Sequence, residues 1–200
     1  MGSKDNKTRK KWQDYSGAQA GKAEANFLKA FTEYFEGTSY RIRAKPNEFK
    51  DLYVNVSLSS KVLSEIFNPD VEITKHGITP DYAIDNLDSG KTLYVEVKRQ
   101  DGWVEGKERK AGRGNAHERS NKFFTPGLLA TLRKQGKIMG DGTLPFWTVF
   151  QGDITRDPCR VREITLWYEG YQAHYFLWRD NTSPLLVIEH FNQNLKHLLD

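Results

Sequence analysis

Two hundred residues suffice for one compact domain with a real core, and no Pro/Gly/Ser-rich linker divides them, so residues 1–200 read as a single domain. A formal charge of +4 and a pI near 9.0 permit a polyanionic partner without requiring one. One cysteine, Cys159, excludes an internal disulfide and a cysteine-rich zinc site. No stretch approaches membrane-spanning length, so a soluble protein of a reducing cytoplasm is expected, with Cys159 buried or half-buried.

Residues 1–16, with basic side chains from Lys4 to Lys11, have no apolar core and read as a disordered tail or an arm lying on phosphates. From Ala18 to Phe35 the apolar residues Ala20, Ala23, Phe27, Phe31, Tyr34 and Phe35 recur at steps of three and four, which predicts an amphipathic helix stopped at Gly37. Glu24 and Glu33 on that helix are expected in solvent, Glu24 being the kind of helix carboxylate that can also approach a metal. A second short helix is predicted from Ser60 to Phe67, ended by Asn68-Pro69. Asp81 to Lys98 reads as a β-hairpin with its turn over Asn86 to Lys91. Further on come a strand over Pro145 to Phe150, a helix over Arg160 to Tyr168, a strand over Ala173 to Trp178 and a helix over Leu185 to Leu199. Alternating strands and helices predict an α/β fold, a mixed β-sheet flanked by helices with the hairpin at its cleft. His76, His174, His190 and His197 lack metal spacing, and the tryptophans are expected in the core and at interfaces.

The hairpin carries chemistry. A period of two puts Tyr94, Glu96 and Lys98 on one face and Leu93, Val95 and Val97 on the other. If the hairpin is symmetric about Asp88-Ser89, Asp81 lies across from Glu96 with Cβ atoms roughly 5 Å apart. Two facing carboxylates repel unless a cation stands between them. Mg²⁺, a hard cation that takes carboxylate and carbonyl oxygens and keeps several waters, fits two carboxylates and a substrate phosphate. Lys98 beside them could orient a water, help deprotonate it, or offset charge as phosphorus becomes five-coordinate.

A cationic, glycine-punctuated stretch follows, with Arg99, Lys107, Arg109, Lys110, Arg113 and Arg119 among Gly102, Gly106, Gly112 and Gly114, leading to a helix that starts near His117 to Ser120. Asn115, Glu118 and Arg119 at such a junction are the side-chain types that read adenine, accept from amino groups and hold guanine or phosphate.

Pro80-Asp81, fourteen residues, then Glu96-Val97-Lys98 resembles the active site of the PD-(D/E)xK nucleases, and Gly114-Asn115-Ala116-His117-Glu118-Arg119 resembles the recognition segment of EcoRI-like enzymes. Asp101 to Lys107, Ala111 to Ser120, Phe124 to Leu129, Leu144 to Trp147 and Gly152 to Pro158 are similar to the MunI-like type II restriction endonucleases, a resemblance that covers most of the chain. It implies the restriction-endonuclease-like fold and a Mg²⁺-dependent homodimer that binds double-stranded DNA at the palindrome CAATTG. Cleavage after the first C would leave four-base 5′ overhangs, and a cognate DNA methyltransferase would act on the same site. Carried over, Asp81 and Glu96 match the metal ligands, with the Val97 main-chain carbonyl beside them, and Lys98 the catalytic lysine. Asn115, Ala116, Glu118 and Arg119 match the AATT-reading segment, with Gly114 and His117 inside it. Arg113 matches the arginine assigned to the outer pair.

Two other classes stay open from the residues alone. The same nuclease core could serve DNA repair or junction resolution, with the basic loop holding backbone. The chain could also be a non-catalytic DNA-binding regulator, against which the full Asp, Glu, Lys set argues.

Overall fold

The computed structural model describes residues 18, 21–102, 104–106, 116–180 and 182–200. The proposed N-terminal arm and the loop residues Lys107 to Asn115, including Arg113, Gly114 and Asn115, lie outside them. Among the described residues, five strands form one mixed sheet in the order of the sequence: β1 (Tyr40–Ala44), β2 (Tyr82–Asn86), β3 (Thr92–Arg99), β4 (Phe146–Gln151) and β5 (Tyr175–Trp178). β1–β2 and β2–β3 are antiparallel, whereas β3–β4 and β4–β5 are parallel. Parallel neighbours need long crossovers, and these supply the helices of one face. α3 (Pro126–Gly136) bridges β3 to β4, and α4 (Pro158–Trp167) bridges β4 to β5.

Both faces of the sheet are covered, which explains why β2 and β4 are buried along their whole length. On one face α1 (residues 21–34) brings Ala23, Phe27 and Phe31, with Phe35 just beyond it, against Tyr82, Ile84, Val95, Val97, Trp147 and Val149. α5 (Leu185–Asn194) closes the same face through Val187 and Phe191. On the other face α3 and α4 pack Leu128, Leu132, Ile164 and the following Tyr168 against Ala83, Tyr94, Phe146 and Phe150. The alternation read from the hairpin therefore separates two cores rather than a core and a wet face. Glu96, two residues after Tyr94, lies on the α3/α4 side.

Two glycines permit close approaches. A Cβ on Gly136, at the end of α3, would stand 2.4 Å from Thr92 O, so α3 can settle against β3 only without one. Gly152, with φ +83°, ends β4 where a Cβ would meet Gln100 O at 2.7 Å, letting the chain that leaves β3 pass over it.

Several local readings change. Strand β1 has no counterpart in the sequence reading. α2 ends earlier than expected, spanning Ser60–Glu65 with Ser59 as its cap, and buries none of its residues. The segment predicted as a helix near His117 is a 3₁₀ helix, Ala116–Phe124. The C-terminal helix stops at Asn194 and is followed by a short 3₁₀ turn, Lys196–Leu198. Cys159 is exposed rather than buried, because it stands on the first turn of α4 next to the Asp157 cap, which accepts from its N–H.

Candidate active site

Asp81 is the residue before β2. The register that pairs Tyr82 with Val95 and Ala83 with Tyr94 sets Asp81 opposite Glu96 when carried one step further. Two main-chain donors close this opposition: Asp81 N–H donates to Glu96 Oε2 at 3.3 Å, and Val97 N–H donates to Asp81 Oδ2 at 2.9 Å. Each strand's backbone thus orients the other strand's carboxylate. Both residues are buried, at 6% and 5% exposure. Burial holds the Glu96 carboxyl above its ordinary range, with Lys98 opposing that rise and the charge of Asp81 adding to it.

Ammonium groups answer the repulsion. Lys98 Nζ lies 2.6 Å from Glu96 Oε1 and 3.3 Å from Asp81 Oδ2, and donates to Val97 O at 3.4 Å. Lys45, one residue beyond β1, donates from Nζ to Asp81 Oδ1 at 2.6 Å and to Glu24 Oε2 at 3.1 Å. Burial pulls Lys45 down, but the hydrogen bond and charge of Asp81, then those of Glu24, outweigh it and hold this ammonium well above the usual lysine range. Glu24 is therefore no solvated helix carboxylate. Its main-chain O also accepts from Tyr82 Oη at 2.8 Å, which ties α1 to β2 beside the site.

No group of three or more His, Cys, Asp or Glu suited to a metal occurs among the described residues. The oxygen donors that converge are Asp81, Glu96 and the Val97 carbonyl, all hard ligands. That set suits a hard dication such as Mg²⁺, completed by water and substrate oxygens.

The expected recognition segment is built on a period of three. His117, Ser120 and Phe123 are buried while Glu118, Arg119 and Lys122 are exposed, as the eclipsed geometry of a 3₁₀ helix requires. Ala116 opens the helix. Glu118 and Arg119 therefore face outward. His117 does not: its ring is fully buried, stacks on Trp167 at 5.2 Å, and places Nε2 2.9 Å from Glu163 Oε2. Burial lowers the His117 pKa despite that carboxylate. The side chain offered to DNA by the sequence reading is turned into the protein, where it anchors the segment.

The other end of the loop is fastened to the same elements. Gly102 N–H donates to Asp153 Oδ2 at 2.9 Å and Glu105 N–H to Asp157 Oδ2 at 3.3 Å. Asp157 caps α4, and Glu163 lies on α4, so both flanks of residues 107–115 hang from one helix. The sequence reading missed these anchors, and also Lys45. A signal for Lys45 was present: Arg41, Arg43 and Lys45 alternate, and the first two reach buried Asp85 at 2.8 and 2.6 Å while the third reaches Asp81.

The mixed sheet flanked by helices, with an Asp, Glu, Lys set on its hairpin, has the restriction-endonuclease-like fold. The family model described as type II restriction enzyme MunI matches residues 1–200. The chain is 52% identical over 202 residues to a type II restriction enzyme MunI from Mycoplasma sp, covering all of both chains. It superposes with a TM-score of 0.81 on the crystal structure of MunI restriction endonuclease in complex with cognate DNA, at 53% identity and covering 94% of this chain and 97% of that one. The chain belongs to the MunI family of type II restriction enzymes. No helix among the described residues is long and apolar enough to cross a membrane.

Proposed function

We propose that the chain, acting as one nuclease domain of residues 1–200 within a cytoplasmic homodimer, binds double-stranded DNA at CAATTG and hydrolyses it after the first C in a Mg²⁺-dependent reaction. The observation that carries this reading is the reciprocal clamp of Asp81 and Glu96 by each other's strands, with Lys98 Nζ within 3.3 Å of both. Asp81, Glu96 and the Val97 carbonyl are the proposed metal ligands. When bound there, Mg²⁺ supplies a Lewis acid for the phosphoryl oxygen and lowers the pKa of a water.

The chain's own residues do the rest. Asp81 and Glu96 hold their oxygens without reorganisation because main-chain N–H groups fix them before substrate arrives. Lys98, the proposed catalytic lysine, orients the attacking water and offsets negative charge developing on phosphorus. Water adds to phosphorus, the bond to the 3′ oxygen breaks, and the product keeps a 5′-phosphate and a four-base overhang. Hanging the recognition segment from α4, beside the sheet that carries the carboxylates, lets base contacts set the distance between the scissile phosphate and Lys98.

Reading of the site is assigned to residues 113–119. Glu118 and Arg119 are exposed on the first turn of the 3₁₀ helix; Arg113, Gly114, Asn115 and Ala116 precede them in the chain. Asn115 suits adenine and Glu118 an amino group, and the guanidinium of Arg113 suits guanine O6 and N7 of the outer pair. His117 serves by anchoring. A cognate methyltransferase would protect the same hexamer. Incubation with phage DNA and Mg²⁺ tests the reading: discrete, reproducible bands are expected, and a smear or intact DNA would count against it. Membership of the MunI family removes the ground for a repair nuclease or an inert regulator.

A further inference from the structure

Lys45 is placed with more care than a surface lysine needs. Its φ is +46°, in the left-handed region that a non-glycine residue enters rarely, and its N–H donates to Asp81 O at 2.9 Å. Its main chain is therefore pinned beside Asp81, which keeps the carboxylate within reach of its ammonium. The two Asp81 oxygens are divided between two lysines. Oδ2 takes Val97 N–H and Lys98, while Oδ1 takes Lys45 at 2.6 Å. Lys98 is enclosed, with its side chain 16% exposed, whereas that of Lys45 is 54% exposed and free to swing on a four-carbon stem. A second acceptor is already in reach, Glu24 Oε2 at 3.1 Å.

We propose that Lys45 is a positioning residue for the metal site: a built-in counter-ion that holds Asp81 Oδ1 before metal arrives, gives it up as the dication enters, and is retained on Glu24. This rests on Asp81 being a metal ligand. A dication on Asp81 and an ammonium on the same carboxylate repel at close range, so the two occupants compete. Lys45 thereby keeps the carboxylate pair folded and oriented when metal is scarce, and sets the metal concentration at which the site fills. Glu24 acts through Lys45, offering the displaced ammonium somewhere to go.

The test uses the full-length protein, a CAATTG duplex and Ca²⁺, with specific binding read against Ca²⁺ concentration. Lys45→Met keeps the stem and removes the charge, and its Ca²⁺ midpoint should fall by about tenfold. Lys45→Arg, which keeps the cation, should stay near wild type. Melting in EDTA should drop for Lys45→Met and recover with Ca²⁺, a response that loss of packing alone would not give. Glu24→Gln should raise the midpoint in the wild-type background and leave it unchanged beside Lys45→Met. A Lys45→Met midpoint equal to or above that of wild type overturns the proposal, and an equal Glu24→Gln effect in both backgrounds overturns the role given to Glu24. Wild-type protein that shows neither Ca²⁺-dependent binding nor Mg²⁺-dependent cleavage would instead remove the metal-ligand reading, and this inference with it.

Discussion

His117 Nε2 stands 2.9 Å from Glu163 Oε2, which joins the first turn of the 3₁₀ helix Ala116–Phe124 to the middle of α4. Arg160 grips the same carboxylate at 2.7 Å. Glu163 is partly exposed and reaches the 3₁₀ helix through His117, so its effect on binding is expected to pass through the placement of residues 116–119. Glu163→Ala should cost about 1 kcal/mol of CAATTG binding and little of non-specific binding. Competition titrations against cognate and unrelated duplexes measure that difference. Equal weakening on both would mean that the anchor does not shape recognition.

The carboxylate pair gives a second expectation. Asp81→Ala should abolish cleavage, leave the recognition helix in place, and strengthen metal-free binding by removing negative charge near phosphate. Lys98→Ala should bind and fail to cut. Single-turnover rates alongside gel-shift affinities separate the two steps. Cleavage at the wild-type rate by either variant would remove that residue from the chemistry.

Positioning and reading can also be told apart. Glu118→Ala, and likewise Asn115→Ala, should each lose about 1 to 3 kcal/mol on the cognate site for each base contact removed, with little change on other sequences. Arg113→Ala should lose a similar amount at the outer pair only, and Arg113→Lys should be a poor substitute because an ammonium cannot pair bidentately. Binding under Ca²⁺ to CAATTG, GAATTC and AAATTT reads both effects. Uniform weakening would reduce these residues to backbone contacts.

His174 makes stability depend on pH. Buried just before β5, it accepts from Leu144 N–H at Nε2 over 3.1 Å and donates from Nδ1 to Phe146 O over 3.0 Å, so the neutral ring satisfies both neighbours. Burial pushes its pKa down to about 4. A depressed histidine contributes stability that is present above its unfolded value of about 6.5 and is lost as pH falls toward the folded value. Urea unfolding should therefore lose up to about 3 kcal/mol from this residue between neutrality and pH 4. His174→Gln should flatten that slope. An unchanged slope would place the acid sensitivity elsewhere.

Much of this arrangement was legible in the residues. The alternation of Leu93 to Lys98 and the turn at Asn86 to Lys91 fix a register that brings Asp81 to Glu96, and a period of two leaves little freedom once both faces are buried. The α1 stripe was equally plain, because Phe27, Phe31 and Phe35 follow the helical repeat. What escaped depends on contacts distant in sequence. Lys45 meets Asp81 only because β1 pairs with β2, and β1, a short half-exposed strand of alternating arginines, carries a weak apolar signal. His117 looked like a DNA contact because its neighbours Glu118 and Arg119 do. A 3₁₀ repeat of three, in place of 3.6, turns it inward with Ser120 and Phe123.

The position of the cut is the most direct readout of the proposed activity. Phage DNA of known sequence, digested with wild-type protein and Mg²⁺ and sequenced at every new end, should give termini only at CAATTG, each with a 5′-phosphate and an AATT overhang. Ends scattered over unrelated sequences, or set by DNA junctions rather than by this hexamer, would contradict it.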